Sequence, residues 1–350
     1  MKDQFDKNLS VDNTSFDETL CVYDVTKEPF TLYGNCKTAK NIFARMNEKA
    51  AENISPAVSN RGARSTGVRL RFKTNSKRLG IKVNLSMALH FPSQTAISAK
   101  GFDIYADGKY VNSIFPDDNE KKAYEQIITL GNGEQKDVTV YFPYNAVVEN
   151  LWLALDKEAS VCPGEKYADI PPIVFYGSSI THGFCVSRPG LAFTAAISRN
   201  LNLDYVNLGF SGAARGELSM AEYLAFLDKS LIVCEYDHNE PTAEDLAKRH
   251  LPFYKKIREN DKETPILFIS KPDEQDPEKA HERMEIIKRT YMYALESGDK
   301  NVYFIDGLSI FPDDIRYDCT IDSIHPNDLG AYMIAQKLTS ELKKFLKINL

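Results

Sequence analysis

The sequence predicts a two-domain protein in which an all-β sandwich precedes a three-layer α/β domain with a parallel sheet. The chain has 350 residues, more than one hydrophobic core usually spans. Strand-like alternation fills residues 20–156, whereas from about residue 170 apolar strand patterns alternate with helical ones. The proline-containing stretch 160–172 lies between the two patterns, so we expect the domains to span residues 1–165 and 166–350.

Short half-buried strands characterise the first domain. Several such strands with turns between them are typical of a β-sandwich. Asp107-Gly108 separates two apolar runs and predicts a tight hairpin. The predicted strands are Thr66–Thr74, Leu79–Leu85, Phe102–Tyr105, Val138–Phe142 and Asn150–Leu155.

Strands joined by helices characterise the second domain, and this alternation predicts a parallel sheet covered on both faces. The predicted strands are Ile173–Tyr176, Tyr205–Leu208, Leu231–Glu235, Ile266–Ile269 and Val302–Ile305. The predicted helices are Leu191–Asn200, Met220–Leu227, Ala243–Arg258, Pro277–Leu295 and Asn327–Leu346.

Composition excludes several classes of function. The formal net charge of −6 argues against a nucleic-acid partner, and the basic residues of Arg61–Arg71 are interrupted by apolar ones. No apolar run approaches the ~20 residues that span a bilayer, so no membrane partner is expected. The opening residues Met1–Asp6 lack the apolar core of a signal peptide, which predicts a cytoplasmic protein. The six cysteines form no C-x-x-C pair, so neither a zinc nor a redox motif is present.

Residues with catalytic chemistry follow the predicted parallel strands. Ligands bind beyond the carboxyl ends of such strands. Ser179 follows the first strand in a turn of small residues, Gly212 follows the second and Asn239 follows the third. Asp322 and His325 stand together before the last helix.

This set of residues suits acyl transfer. His325 would take the proton of the Ser179 hydroxyl, and Asp322 would orient the imidazole. The backbone N–H groups of Ser179 and Gly212 and the Asn239 amide would bind the oxyanion, each donor contributing ~3 kcal/mol.

The same segments resemble sequence blocks of the SGNH hydrolases, also called the GDSL lipase/esterase superfamily. The matching segments are Gly177-Ser178-Ser179-Ile180, Asn207-Leu208-Gly209-Phe210-Ser211-Gly212, Asp237-His238-Asn239 and Asp322-Ser323-Ile324-His325-Pro326. The resemblance covers 171–350 and implies a flavodoxin-like α/β/α fold. It also implies the same roles for Ser179, Gly212, Asn239, His325 and Asp322.

Two positions depart from the family pattern. Ser178 stands where the first block usually has aspartate, and Asp237 stands where the third usually has glycine. The first departure removes a charge beside the nucleophile. The β-rich half is similar to the jelly-roll-like sandwich domains that precede the hydrolase domain in some carbohydrate esterases.

Other polar residues fall on the same predicted loops. His182 and His238 are candidates for substrate binding, although both could be ordinary loop residues. Arg188 could hold an anionic or hydroxylated substrate, or form a structural salt bridge. His182, His238, Asp237 and Glu240 show no recognisable metal-ligand spacing, so we expect neither a metal nor another cofactor.

Three functions are compatible with the sequence. The first is a serine esterase that removes a short acyl group, in particular acetyl, from a carbohydrate or polyol. The second is an acyltransferase with the same triad, since the acyl-enzyme is common to both reactions. The third is a non-catalytic glycan-binding protein with a degenerate hydrolase domain. For the esterase and the acyltransferase, the expected substrate of the protein is a small-molecule or carbohydrate ester.

Overall fold

The computed structural model describes residues 16–118, 120–272 and 277–346. The prediction made from Met1–Asp6 therefore lies outside the described residues. Among the residues that are described, no helix is both long and apolar enough to cross a membrane.

Antiparallel strands dominate the N-terminal part of the chain. Its strands are β1 (Leu20–Asp24), β2 (Thr31–Tyr33), β3 (Arg69–Thr74), β4 (Arg78–Ala88), β5 (Phe102–Ala106), β6 (Lys109–Ile114), β7 (Ala123–Thr129), β8 (Lys136–Tyr141), β9 (Ala146–Asp156) and β10 (Val161–Pro163). One sheet has the order β1-β9-β4-β7, and a second has the order β10-β3-β8-β5-β6, with β2 also paired to β3.

The two sheets enclose a common apolar core, which gives the domain its sandwich architecture. Leu79, Ile81 and Val83 alternate along β4 and are buried in the same cluster as side chains of β3, β5 and β8, whereas Lys82 between them is exposed. The predicted hairpin turn is present between β5 and β6. Asp107 and Gly108 both have positive φ angles, 50° and 74°, as a type I′ turn requires.

The sequence predicts an all-β first domain, but the N-terminal half contains helices in addition to its strands. It also contains α1 (Glu48–Ile54), α2 (Pro56–Gly62) and α3 (Ala96–Lys100). Asn47 and Ser55 cap α1 and α2 by accepting hydrogen bonds from backbone N–H groups of the first turn. Ala51 of α1 and Val58 of α2 are buried in a core cluster that belongs mainly to the C-terminal domain. These helices therefore join the two domains.

The C-terminal domain has the predicted three layers. Its strands are β11 (Ile173–Gly177), β12 (Tyr205–Gly209), β13 (Leu231–Glu235), β14 (Ile266–Ile269) and β15 (Val302–Ile305). Its helices are α4 (Ser179–His182), α5 (Phe193–Leu201), α6 (Leu218–Phe226), α7 (Ala243–Asn260), α8 (Pro277–Glu296) and α9 (Asp328–Phe345). The described strands pair in parallel in the order β12-β11-β13-β14-β15, which is the flavodoxin-like order.

Alternate residues of β11 face opposite helical layers. Val174 and Tyr176 are buried in a cluster with residues of α6, α7 and α8. Ile173 and Phe175 are buried in a second cluster with residues of α5 and α9. Because all the strands are parallel, their carboxyl ends meet at one edge, where the predicted site residues lie.

The two domains are joined by buried polar contacts as well as by α1 and α2. Arg69 of β3 is fully buried, pairs with Asp204 and donates to the Tyr205 carbonyl, with an Nη1–O distance of 3.1 Å. The chain crosses between β10 and β11, and the boundary between residues 165 and 166 stays a prediction.

Candidate active site

Ser179 is the first residue of the short helix α4, directly after the tight turn that follows strand β11. A Cβ atom at Gly177 would overlap Thr181 and the Glu235 carbonyl, so the turn requires glycine there. The Ser178 hydroxyl caps α4 by accepting a hydrogen bond from the Ile180 N–H, with an N–O distance of 3.0 Å. Ser179 N–H is the first amide of the helix and has no acceptor within it.

A chain of hydrogen bonds connects Ser179, His325 and Asp322. The Ser179 Oγ to His325 Nε2 distance is 2.8 Å, and the His325 Nδ1 to Asp322 Oδ2 distance is 2.7 Å. A carboxylate can only accept, so Nδ1 carries the proton and the unprotonated Nε2 accepts from the serine hydroxyl. The geometry is that of a nucleophile, a base and a group that orients the base.

Asp322 is fixed by its own local backbone. It accepts hydrogen bonds from the N–H groups of His325 and Ile324, at 2.8 Å and 3.1 Å. Partial burial acts to raise the pKa of Asp322, but the hydrogen bonds from the His325 ring and backbone outweigh it and hold that pKa below its usual value. The Phe184 ring packs against the His325 ring, with 4.9 Å between centroids.

The predicted oxyanion donors lie on loops next to α4. Gly212 has a positive φ of 68°, a conformation that favours glycine, while a Cβ atom there would meet nothing within 4 Å. Phe210 N–H donates to the Gly177 carbonyl at 2.7 Å and ties the Gly212 loop to the nucleophile turn. The Asn239 Nδ2 is buried and has no acceptor among the described residues. Participation of both residues in an oxyanion hole stays a prediction.

Glu235 is a structural residue of the site that sequence reasoning missed. It ends β13, is 3% exposed, and accepts from the Ser178 hydroxyl at 2.9 Å and the Thr181 hydroxyl at 2.8 Å. Burial raises the pKa of Glu235. The signal in the sequence is a single carboxylate at the end of an otherwise apolar strand.

Glu235 also gives a physical reason for Ser178. An aspartate at position 178 would place a second carboxylate where the serine hydroxyl now donates to Glu235. Two buried like charges at hydrogen-bond distance repel strongly. Ser178, by contrast, donates to Glu235 and accepts from the Ile180 N–H, so it satisfies both neighbours.

His182 is enclosed by protein groups, which disfavours its predicted role in substrate binding. It is 1% exposed, and its Nε2 lies 2.9 Å from the Tyr144 carbonyl and 3.1 Å from the Thr66 hydroxyl. Since a carbonyl only accepts, Nε2 carries the proton and Nδ1 accepts from the Ser211 hydroxyl at 2.8 Å. Burial lowers the pKa of His182 well below its usual value, so the ring is neutral. Its role is to link the sandwich domain to the Gly212 loop.

Arg188 is likewise a structural residue, the alternative that the sequence left open. Its Nη1 donates to Asp103 Oδ2 at 2.9 Å and to the Tyr105 hydroxyl at 2.7 Å. Its guanidinium also stacks on Tyr110, 3.7 Å from the ring centroid. These partners all belong to the sandwich domain, so Arg188 fastens the two domains together instead of facing the site.

His238 lies on the wall of a cavity of about 740 Å³, a volume in the usual range for small-ligand pockets. Its Nε2 is buried and has no partner among the described residues. Asn239 lines the same cavity, whereas Ser179, Gly212 and His325 are not among its lining residues. The other lining residues are Arg215, Asp237, Glu240, Pro241, Lys271, Lys279, Ala280 and Arg283.

One group of side chains in this region could hold a cation. Ligand atoms of Glu235, Asp237 and His238 all lie within 4.8 Å of one another. However, the Glu235 oxygens already accept from Ser178 and Thr181, and Asp237 Oδ2 accepts from the Lys271 N–H at 3.1 Å. These hydrogen bonds give the carboxylates partners without a metal. His182, included in the sequence-based set, lies elsewhere.

The parallel sheet and the serine–histidine–aspartate chain at its edge define a hydrolase domain of the SGNH type. Residues 171–343 match the GDSL-like Lipase/Acylhydrolase family, and residues 21–161 match the family described as the N-terminus of Esterase_SGNH_hydro-type. The α/β domain therefore matches the GDSL-like lipase/acylhydrolase family over nearly its whole length. The predicted family and fold class are confirmed.

Solved structures of similar proteins include both domains. A GDSL-like lipase candidate from Bacteroides ovatus has 26% identity and a TM-score of 0.86, over 95% of this chain and 99% of that chain. The salicylyl-acyltransferase SsfX3 from a tetracycline biosynthetic pathway has 20% identity and a TM-score of 0.74, over 94% and 98%. A family two carbohydrate esterase from Clostridium thermocellum, in complex with cellohexaose, has 15% identity and a TM-score of 0.60, over 81% and 93%. A comparison with curated protein sequences gives no match.

Proposed function

We propose that this protein is a serine esterase that removes a short acyl group, in particular acetyl, from a carbohydrate or another polyol. The observation that carries the proposal is the pair of contacts of 2.8 Å and 2.7 Å that connects Ser179, His325 and Asp322. Such contacts favour a working enzyme over a degenerate binding protein. The carbohydrate assignment draws on the Clostridium thermocellum esterase that holds cellohexaose.

In the first half of the reaction, Ser179 Oγ attacks the ester carbonyl carbon while His325 Nε2 takes the hydroxyl proton. Asp322 stabilises the imidazolium through Nδ1–H. The N–H groups of Ser179 and Gly212 and the Asn239 amide bind the oxygen that becomes negative. Collapse of this intermediate breaks the ester C–O bond, and His325 returns the proton to the leaving alcohol.

In the second half, water attacks the acyl group bound to Ser179. His325 takes a proton from this water, the bond to Ser179 Oγ breaks, and the serine regains its proton from His325. An acyltransferase would use an acceptor alcohol or amine instead of water. The Asp322 side chain is 40% exposed and that of His325 is 18% exposed, so water reaches the base.

The test compares Ser179→Ala with Ser219→Ala, the same replacement in α6 away from the site. We expect Ser179→Ala to lower kcat for p-nitrophenyl acetate by about 10⁴-fold or more, and Ser219→Ala to leave it within a factor of two. Unchanged hydrolysis by Ser179→Ala would remove this serine from the mechanism. Acyl-length profiling on acetylated sugars then tests the substrate, and acyl transfer to an added alcohol at the expense of free acid would favour the acyltransferase.

A further inference from the structure

Two phenylalanine rings, one from each domain, extend outward from the His325 ring. Phe184 packs against His325, with 4.9 Å between the ring centroids and 46° between the ring planes. Phe91 packs in turn against Phe184, with 5.2 Å between centroids and 59° between planes. Phe184 is half-buried, whereas Phe91 is 41% exposed. The three rings therefore form a row that leads from the proposed base to the protein surface.

The backbone at the end of α4 holds Phe184 in place. Gly183 ends this helix with a positive φ of 85°, and a Cβ atom there would overlap the Tyr144 ring. The Phe184 N–H donates to the Ser179 carbonyl at 3.0 Å, and the Phe184 carbonyl accepts from Gln94 Nε2 at 2.7 Å. The position of the Phe184 ring is thus tied to the proposed nucleophile and to the sandwich domain.

The Phe91 ring comes from the sandwich loop between β4 and α3. The loop is attached to the α/β domain because the Thr95 hydroxyl donates to the Ser187 carbonyl. A hydrogen bond of 2.9 Å from the Gln94 N–H to the Phe91 carbonyl closes a turn within the loop. Leu89 of the same loop is also exposed, by 37%. Apolar side chains that are exposed together beside a functional site commonly form a ligand-binding surface.

The row of rings lies where the alcohol part of an ester would leave. In the proposed reaction, His325 returns a proton to the leaving oxygen, so that oxygen must come within hydrogen-bond distance of Nε2. The acyl carbon, by contrast, is bonded to Ser179 Oγ at this stage. The alcohol part therefore departs from the neighbourhood of His325, where Phe184 and Phe91 are located.

A sugar ring has the shape and polarity to pack on such a surface. The face of an aromatic ring carries partial negative charge and attracts the weakly positive C–H groups on the flat side of a pyranose. The sugar hydroxyl groups at the ring edge can stay in water. An open-chain polyol has no such flat side, and it loses more conformational freedom when it binds.

We propose that Phe91 and Phe184 form a stacking surface for a pyranose ring in the leaving alcohol. The sandwich domain then contributes a specificity-determining residue, Phe91, to the reaction. The inference rests on the proposed esterase function and narrows its substrate from polyols in general to esters of cyclic sugars.

The experiment measures kcat and KM for two acetate esters that differ only in whether the sugar ring is closed. They are methyl 6-O-acetyl-β-D-glucopyranoside and 6-O-acetyl-D-glucitol, and both are esters of a primary alcohol. We expect the wild-type protein to have the higher kcat/KM for the pyranoside. Phe91→Ala should lower this preference about fivefold, mainly through KM.

Three further variants separate the aromatic ring from apolar bulk. Phe91→Leu should also lose most of the preference, because leucine keeps the apolar volume but has no ring face. Phe91→Tyr keeps the ring and should retain the preference. Phe226→Ala, at the end of α6 and 70% exposed, should retain it as well. Phe226 is a matched control because α6 leads into the start of β13, at the edge of the sheet opposite the site.

Other results would overturn the proposal. Equal kcat/KM for the two esters in the wild-type protein would show that no ring is recognised. An equal fall of kcat for both esters in Phe91→Ala would show that Phe91 only supports Phe184 and His325. Full retention of the preference in Phe91→Ala would remove this residue from the substrate-binding surface.

A binding measurement separates this proposal from the esterase function. Saturation-transfer NMR on the Ser179→Ala protein detects the bound pyranoside without hydrolysis, and adding Phe91→Ala should weaken the signals of its ring C–H protons. If the wild-type protein hydrolyses no ester, the proposed function fails while these signals still report on the stacking surface. Hydrolysis of both esters without saturation of the ring protons would contradict the stacking surface alone.

Discussion

Glu235 and Asp322 are both carboxylates that stand behind a member of the proposed triad, yet their surroundings differ. Glu235 is 3% exposed and holds Ser178 and Thr181, the neighbours of Ser179. Asp322 has a side chain that is 40% exposed and holds only the His325 ring and local backbone. The proposed nucleophile Ser179 is thus positioned by the buried core, whereas the proposed base His325 is positioned by a loop at the surface. We expect substitutions at Glu235 and its neighbours to lower the stability of the fold, and substitutions at Asp322 to lower the rate of the reaction.

The largest expected effect is that of Asp322→Asn on kcat. The asparagine amide cannot hold His325 in the tautomer that accepts from Ser179, so we expect kcat for p-nitrophenyl acetate to fall by about 10³- to 10⁴-fold. Because the side chain is largely exposed, Tm should change by less than about 2 °C. Steady-state kinetics and thermal unfolding on the same sample check both. A large fall in Tm would show that Asp322 contributes to the stability of the fold as Glu235 does, and the contrast between the two carboxylates would not hold.

The second-largest expected effect is a loss of stability when a second carboxylate is placed beside Glu235. Ser178→Asp restores the residue usual in the resembling family block, but here it would face a buried acid. We expect the free energy of unfolding to fall by about 3 kcal/mol, measured by urea denaturation. Glu235→Gln in the same chain should recover more than half of this loss. If Ser178→Asp is neutral, or the second change adds to the damage, the contact with Glu235 does not explain Ser178.

The smallest expected effect is a dependence of stability on pH that arises from the buried residue His250. His250 stacks on Tyr236, the residue after Glu235, and donates to or accepts from the Thr290 hydroxyl at 2.9 Å. Burial lowers its pKa to about 4. The unfolded chain, with an ordinary histidine pKa of about 6.5, binds more protons between these values, so stability falls as pH falls.

From pH 7 to pH 5 we expect His250 to reduce the free energy of unfolding by about 2 kcal/mol. Urea denaturation of the wild-type protein and of His250→Gln at both pH values measures the difference. The variant should show a weaker pH dependence. Identical slopes for the two proteins would show that His250 is not held neutral by its surroundings.

The parallel sheet and the meeting of Ser179 with His325 were accessible from sequence. All the predicted strands of the second domain are present, because fully buried parallel strands have continuous apolar runs that end abruptly. Beyond those runs, the rule that carboxyl ends meet at one edge was enough to place Ser179 near His325. Their contact with Asp322 needed only the short spacing between the aspartate and the histidine.

The features that the sequence does not predict depend on contacts between distant parts of the chain. Helices α1 and α2 were missed because Ala51 and Val58 pack on the other domain, so their sequence shows little apolar face of its own. His182 follows Ser179 by three residues, as the sequence itself shows, but a sequence does not specify which way a side chain points. The sequence identifies Glu235 only as the end of a strand. Its hydrogen bonds are not predictable because its partners Ser178 and Thr181 are more than 50 positions away.

The contacts of His182 and Arg45 have a consequence for modularity. Thr66 and Tyr144 of the sandwich reach His182, and Arg45 reaches the carbonyls at the end of β12. His182 in turn accepts a hydrogen bond from the Ser211 hydroxyl in the loop that carries Gly212, and Gly209 directly precedes that loop. The sandwich is therefore not a portable accessory that could be exchanged between enzymes. Its side chains and carbonyls support segments of the α/β domain, so an α/β domain transplanted alone would need replacements for these contacts.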